Sequence, residues 1–338
     1  HEIVRAGANL TSRVVENLFW LGRYSERFDD SARMLRVALG RLVEAGGQKT
    51  PAVASALEMA ELLKILPGPD EDGEVKEGSE HALLEAIYDP EQPGSLAGTI
   101  RSVMWSATHV RERLSLDHWH SLNRLQREQQ AALKRHPTLT EAIAFLDRVL
   151  GVSSSLTGFA MDNMTRDDGW RFLIIGRRLE RLSFLANAIS NFLRMPSTRS
   201  PGSLEWLLEL TDSIITYRSR YSRAPELMPV LDLLVFDDSN PHGVLFQASV
   251  LARYLERMAR ELGEKSESNL PDVLNRLRKF DMEKLVHLEF NECTICDPCE
   301  QLAALLKELD NAAVQLSEWL GMRYFTHVGD VSRQTMAL

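Results

Sequence analysis

Lysine, long apolar runs, nucleotide-binding glycine signatures and cysteine are all scarce or missing in this sequence, and each absence closes a class of function. Only 8 of the 39 basic residues are lysine, with no lysine-rich run, and they stand against 48 acidic residues for a net charge of −9. That balance argues against a surface built to neutralise nucleic-acid phosphates. No apolar stretch reaches the ~18 residues that cross a bilayer, and the N-terminal residues lack the charged-then-apolar pattern of a secretory leader. The expectation is a cytoplasmic chain that engages neither membrane nor nucleic acid. Its start at His1 rather than Met fits a fragment of a longer polypeptide. A P-loop or dinucleotide glycine motif is absent, so nucleotide binding by the chain itself is not expected. The nine histidines lie in no triad context.

The only three cysteines sit together as Cys293-x-x-Cys296-x-x-Cys299, with His287, Glu289 and Glu292 just upstream. This spacing can hold a metal or part of an iron–sulfur cluster. A fourth cysteine is missing and Pro298 interrupts the run, so reduced structural thiols are expected, with no metal and no cofactor.

What the sequence has is helical periodicity and arginine. Hydrophobic residues make up 44% of 338 positions, enough for one large domain or two coupled helical bundles, about 1–150 and 151–338. They recur at helical spacing without sustained alternation, which predicts an all-α multi-helix bundle. A first long helix is predicted over about 11–43, capped by Thr11 or Ser12 and stopped by Gly46-Gly47, with Leu18, Leu21, Ser25, Phe28, Ala32, Leu35, Leu39 and Leu42 as its core stripe. A second follows Asp167-Asp168-Gly169, with Phe172, Ile175, Leu179, Leu182, Ala186, Ile189 and Leu193 facing inward. Between and after them the pattern predicts helices over 52–66, 80–88, 96–116, 118–134, 138–150, 152–163, 204–221, 227–235, 242–262, 270–279, 282–289 and 300–321, with an acidic Gly/Pro loop over 67–78.

Arginine accounts for 31 of the basic residues, and its fork suits carboxylates and phosphates. Codon bias in a GC-rich genome would give the same excess. The pattern is more informative than the count. Gly22-Arg23-Tyr24-Ser25-Glu26-Arg27 in the first helix returns as Gly176-Arg177-Arg178-Leu179-Glu180-Arg181 in the second and, with Ala for Gly, as Ala252-Arg253-Tyr254-Leu255-Glu256-Arg257. Positions i, i+3 and i+4 share a helix face, so each copy presents two guanidinium groups flanking one carboxylate. In one reading each Glu orients its two arginines and their spare donors grip an anion. The candidate binding residues are then Arg23, Glu26, Arg27, Arg177, Glu180 and Arg181. In the other, each copy is an ion-pair staple that holds helix register and binds nothing.

A second candidate wall carries Asp212, Thr216 and Arg220 at four-residue spacing, with Tyr217, Arg218 and Tyr221 beside them. A partly exposed helix with stacked tyrosines accounts for it equally well. The paired aspartates Asp29-Asp30, Asp167-Asp168 and Asp237-Asp238 lack the further acid that a Mg²⁺-binding prenyl-transfer helix requires, and Asp167-Asp168 reads as a helix cap. No catalytic residue is assigned.

The run Ser12-Arg13-Val14-Val15-Glu16-Asn17-Leu18-Phe19-Trp20-Leu21-Gly22-Arg23-Tyr24-Ser25-Glu26-Arg27 resembles the opening of the bacterial alpha-E family, a predicted α-helical domain named for its E-R motif. Met164-Thr165-Arg166-Asp167-Asp168-Gly169-Trp170-Arg171-Phe172, leading into the second motif copy, resembles its second signature. Residues 111–123, 207–221 and 230–241 and Tyr324-Phe325-Thr326-His327 also align with family features. The resemblance implies a place beside, or fused behind, a circularly permuted ATP-grasp domain, with Arg5-Ala6-Gly7-Ala8-Asn9-Leu10 similar to the joining segment. It further implies an accessory or substrate-binding role in ATP-dependent amide or peptide bond formation, with an acidic peptide or acyl phosphate as ligand. The alternative is a non-catalytic interaction scaffold. Two positions depart from the family pattern: His242-Gly243 follows Asn240-Pro241 where many relatives have Arg, and the cysteine cluster is not a family feature.

Overall fold

The computed structural model describes residues 11–68, 78–262, 268–286 and 297–325. Among these residues there are fourteen α-helices and no strand, so the all-α expectation holds. In chain order they are α1 (Ser12–Glu44), α2 (Pro51–Leu62), α3 (Ser79–Tyr88), α4 (Leu96–His109), α5 (Leu116–Arg135), α6 (Leu139–Asp162) and α7 (Asp168–Arg194). There follow α8 (Ser203–Leu210), α9 (Ile214–Arg220), α10 (Leu227–Leu231), α11 (Val244–Leu262), α12 (Leu270–Arg278), α13 (Glu283–Val286) and α14 (Asp297–Leu320).

The two long helices read from the sequence form the axis of the bundle. They pack on each other; α4 and α6 flank α1, while α11 and α14 flank α7. Every residue of the two predicted core stripes is buried except Ser25, which is half-buried. A single apolar cluster runs through the chain from Val15 in α1 to Leu320 in α14. The helix starts are set by local chemistry. The Thr11 hydroxyl accepts from the Val14 N–H at 3.3 Å, and Thr138 and Glu141 form a reciprocal capping box at the start of α6. Asp167 accepts from the Trp170 N–H at 2.9 Å, as its position before α7 predicts. Arg113 grips the same carboxylate at 2.7 Å.

Three predicted boundaries are corrected. The 96–116 helix breaks at Val110 into a short 3-10 turn. The 138–150 and 152–163 segments are one helix, because Gly151 is accommodated inside α6 with nothing crowding it. The 204–221 helix is interrupted at Thr211-Asp212-Ser213, where Asp212 takes a left-handed φ of 51°. The α6 helix is the one described helix with the length and apolar character of a bilayer span. It carries Asp147 and Arg148 mid-length, paired to Arg36 at 3.0 Å and to Glu128 at 2.9 Å. Cys299 lies buried in the first turn of α14, whereas Cys293, Cys296, His287, Glu289 and Glu292 fall outside the described residues.

Candidate functional site: a reciprocal arginine–glutamate clamp

The first two motif copies meet face to face, and the glycines that open them make this possible. A Cβ on Gly22 would lie 2.1 Å from the Leu173 carbonyl oxygen, and one on Gly176 would lie 2.2 Å from that of Phe19. Only a hydrogen fits at either position, so α1 and α7 touch backbone to backbone at the crossing.

This approach decides where the charges go. Each glutamate is gripped by the arginines of the opposite copy rather than those of its own. Arg23 Nε donates to Glu180 Oε2 at 2.8 Å, and Arg27 donates to Glu180 Oε1 at 2.8 Å and Oε2 at 3.1 Å. Reciprocally, Arg181 donates to Glu26 Oε1 at 2.8 Å and Oε2 at 3.1 Å, and Arg177 Nη2 donates to Glu26 Oε1 at 3.1 Å. The leading arginine of each copy also reaches a hydroxyl on a third helix. Arg23 donates to Ser317 of α14 at 2.6 Å and Arg177 to Thr157 of α6 at 2.6 Å. Each clamp therefore ties three helices together. Trp20 and Tyr24 extend it outward, with the Arg23 guanidinium 5.1 Å from the Trp20 ring centre and Arg27 5.5 Å from that of Tyr24.

Burial alone would raise both carboxyls. For Glu26, Arg181 and Arg177 outweigh burial and hold it at about 2. For Glu180, Arg27 and Arg23 do the same and hold it below its ordinary value. Arg178, the extra arginine of the second copy, has no such partner. Its Nε is buried without a hydrogen bond and its Nη1 donates to Gln247 Oε1 at 3.4 Å. Burial, with repulsion from Arg181 and Arg177, brings it down to about 10.

Beside the clamp lies a cavity of about 20 Å³, lined in part by Glu26, Asp29, Asp30, Arg33, Arg181 and His242. That is room for about one water. Asp30 is buried with its Oδ2 unpartnered. Burial, then the charges of Glu26, Asp29 and Glu180, push its carboxyl well above the usual range, against a lowering by Arg181. Asp29 accepts from Arg33 at 3.0 Å and Ser153 at 2.7 Å. Asp212, on its left-handed backbone, sits between Arg33 at 3.4 Å and His242 at 3.5 Å. Burial, reinforced by Arg181, holds the His242 imidazole below its ordinary value.

The effects of Glu26 and Asp30 on stability have opposite signs. The held-down Glu26 contributes stability that is complete above its ordinary 4.5 and is lost as pH falls toward about 2. The held-up Asp30 binds its proton more tightly folded than unfolded, so it subtracts stability as pH rises past its ordinary 3.8. Asp30→Asn is therefore expected to melt higher than wild type at neutral pH, with the gap closing as pH falls from about 8 to about 4. Thermal midpoints across that range check it; a gap independent of pH would mean that Asp30 is ionised in the folded protein.

The second candidate wall does not form as read. Asp212 lies outside α9, so it shares no stripe with Thr216 and Arg220. Tyr217 is a core residue, 1% exposed, its hydroxyl donating to the Ala224 carbonyl at 3.4 Å and accepting from the Glu226 N–H at 3.3 Å. It does pair with Tyr221, ring centres 4.9 Å apart. Arg218 is exposed, and Arg220 instead pairs with Asp237. The third motif copy, on α11, does not join the other two: Arg257 bonds Glu261 within its own helix at 3.1 Å. The Arg111-Glu112-Arg113 triplet divides its work, with Arg111 stacked 4.6 Å over the Trp119 ring and Arg113 on the α7 cap. Sequence reading missed Thr157, Ser317, Arg178, Asp30, Arg33 and His242 as members of the site. Asp30 and Arg33 carried a signal, since they continue the Arg23, Glu26, Arg27 face along the same helix at i+3 and i+4 spacing. Among the described residues no group of three or more His, Cys, Asp or Glu is placed to hold a metal.

Fold and site thus define an all-helical domain built around a pair of Glu-Arg motifs locked across two central helices. The chain belongs to the Alpha-E family, described as a predicted alpha-helical domain with a conserved ER motif, whose profile matches residues 10–325. It is 28% identical over 306 residues to uncharacterised proteins of Mycobacterium bovis and of two strains of Mycobacterium tuberculosis, a match covering 81% of this chain and 33% of each relative. The matched region is therefore about a third of the length of these relatives. No solved structure matches the chain.

Proposed function

We propose that this domain is a non-catalytic helical interaction scaffold, and that its paired Arg-x-x-Glu-Arg motifs are structural ion pairs. The observation that carries the reading is the mutual saturation of the clamp: four guanidinium groups and two carboxylates engage one another, and the leading arginines end on hydroxyls of neighbouring helices. A carboxylate or phosphate ligand would have to displace Glu26 or Glu180 from a site where each is at least nine-tenths buried. Arg27, with 42% of its side chain exposed, is the one clamp arginine such a ligand would meet first. The partner implied by the family resemblance is a circularly permuted ATP-grasp domain of an amide- or peptide-forming system. In that setting the domain serves as the accessory that docks components rather than the site that binds the reacting group.

Calorimetric titration of the chain and of an Arg23→Ala, Arg177→Ala double variant with inorganic phosphate and short acidic peptides tests the reading. Expected are a large loss of thermal stability in the variant and no ligand heat that depends on the two arginines. Saturable phosphate or peptide binding that disappears in a still-folded variant would overturn it in favour of an anion site.

A further inference from the structure

We infer that the groove between α11 and α12 docks an acidic amphipathic helix of a partner protein; the inference rests on the scaffold reading and supplies it with a docking place. The groove measures about 840 Å³, within the range of clefts that take ligands. Its floor is apolar, formed by Ala252, Leu255 and Ala259 of α11 with Leu270 and Leu274 of α12. Its charges are Arg253, Arg260 and Arg278 against Glu256 alone. Three cations against one anion leave a local surplus of two positive charges in a chain whose net charge is −9.

This is where the third motif copy differs from the first two. On α1 and α7 the first and last arginine of each copy meet the glutamate of the facing copy, whereas α11 faces no second copy. Arg257 turns to Glu261, and Arg253 and Arg260 make no ion pair or side-chain hydrogen bond among the described residues. Arg278 donates to Ser249 at 3.0 Å, tying the two helices together at the end away from their connection.

The dimensions select the occupant. The lining stretch of α11, residues 249–260, is about 16 Å long, the length of a three-turn helix. Arg253 and Arg260 stand two turns apart, about 10 Å along the axis. A helix laid in the groove would cover the floor with an apolar stripe and meet these arginines with carboxylates about two turns apart. A free inorganic anion would engage the guanidinium groups and leave the floor uncovered.

The test is a display selection of random, roughly 16-residue peptides on the purified chain, counter-selected on Arg253→Glu, Arg260→Glu. Both positions are exposed, and an unchanged melting curve confirms that the variant folds; Arg253→Gln, Arg260→Gln replaces it if charge reversal lowers the melt. The expected consensus carries apolar residues at helical spacing between two acidic residues seven positions apart. Synthetic copies should bind the variant at least about tenfold more weakly in fluorescence anisotropy. No enriched peptide, a consensus without acids, or equal binding to the variant would overturn the inference. None of these bears on the scaffold reading, which is decided at Arg23 and Arg177. Phosphate binding lost in that double variant would overturn the scaffold reading without touching the groove result.

Discussion

Glu26→Gln is expected to destabilise the folded chain by about 3–5 kcal/mol, because it strands two largely buried guanidinium groups. Glu26 is 4% exposed, Arg177 is 8% exposed and Arg181 keeps only 17% of its side-chain surface. Neither arginine can turn to solvent without opening the packing between α1 and α7. For a chain of this size the loss corresponds to a fall of roughly 5 °C in the thermal midpoint. The mirror substitution Glu180→Gln also strands two arginines, Arg23 and Arg27, but is expected to cost about half as much. Arg27, 42% exposed on its side chain, can rehydrate where Arg181 cannot. Equal effects in denaturant unfolding would mean that side-chain exposure does not control the penalty. Adding Arg177→Ala to Glu26→Gln should cost less than the sum of the single changes, since one of the stranded charges leaves with the arginine.

Gly22→Ala is expected to do comparable damage by a different route. The new methyl would sit 2.1 Å from the backbone oxygen of Leu173. No side-chain rotation relieves that overlap, so the two helices must separate at their crossing. Overpacking a core commonly costs about 1–3 kcal/mol, and here the separation also stretches the clamp bonds, so a loss at or above the top of that range is predicted. Gly176→Ala meets the Phe19 oxygen at 2.2 Å and should behave alike. Gly40→Ala is the internal control: it lies in the same helix with nothing within 4 Å of the added carbon. It should be neutral or stabilising by up to about 1 kcal/mol from helix propensity alone. If Gly22→Ala and Gly40→Ala gave similar melting temperatures, the close backbone approach would not exist in solution.

The relation between sequence and site is clearest at these positions. The six-residue motif was legible as a repeat, and its spacing placed Arg, Glu and Arg on one helix face. The natural inference from that spacing was that each Glu organises the two arginines of its own copy. The folded chain exchanges the partners, because the helices approach so closely at Gly22 and Gly176 that each carboxylate lies within reach of the opposite pair. The i, i+3 and i, i+4 rules describe neighbours within a helix. They say nothing about a residue some 150 positions away, which is the separation of Glu26 from Arg177 and Arg181. The same limit explains why Thr157 and Ser317 went unnoticed: a lone hydroxyl on a third helix has no periodicity of its own. The second wall failed for a local reason. Asp212 in a left-handed conformation broke a helix whose apolar pattern ran through it, and a side chain that tolerates that conformation leaves no gap in the hydrophobic period.

By itself, then, the sequence determined the fold class, the two axial helices with the stripes they bury, and the presence of duplicated charged faces, because periodicity, caps and spacing are properties of contiguous residues. Only the tertiary structure decided that two of the three copies face each other while the third borders an open groove. Only it decided that Tyr217 belongs to the core and that Asp30 is enclosed among other acids. Those outcomes depend on which surfaces the packing brings into contact, and the free energy of a buried charge is set by the partners it meets across that contact.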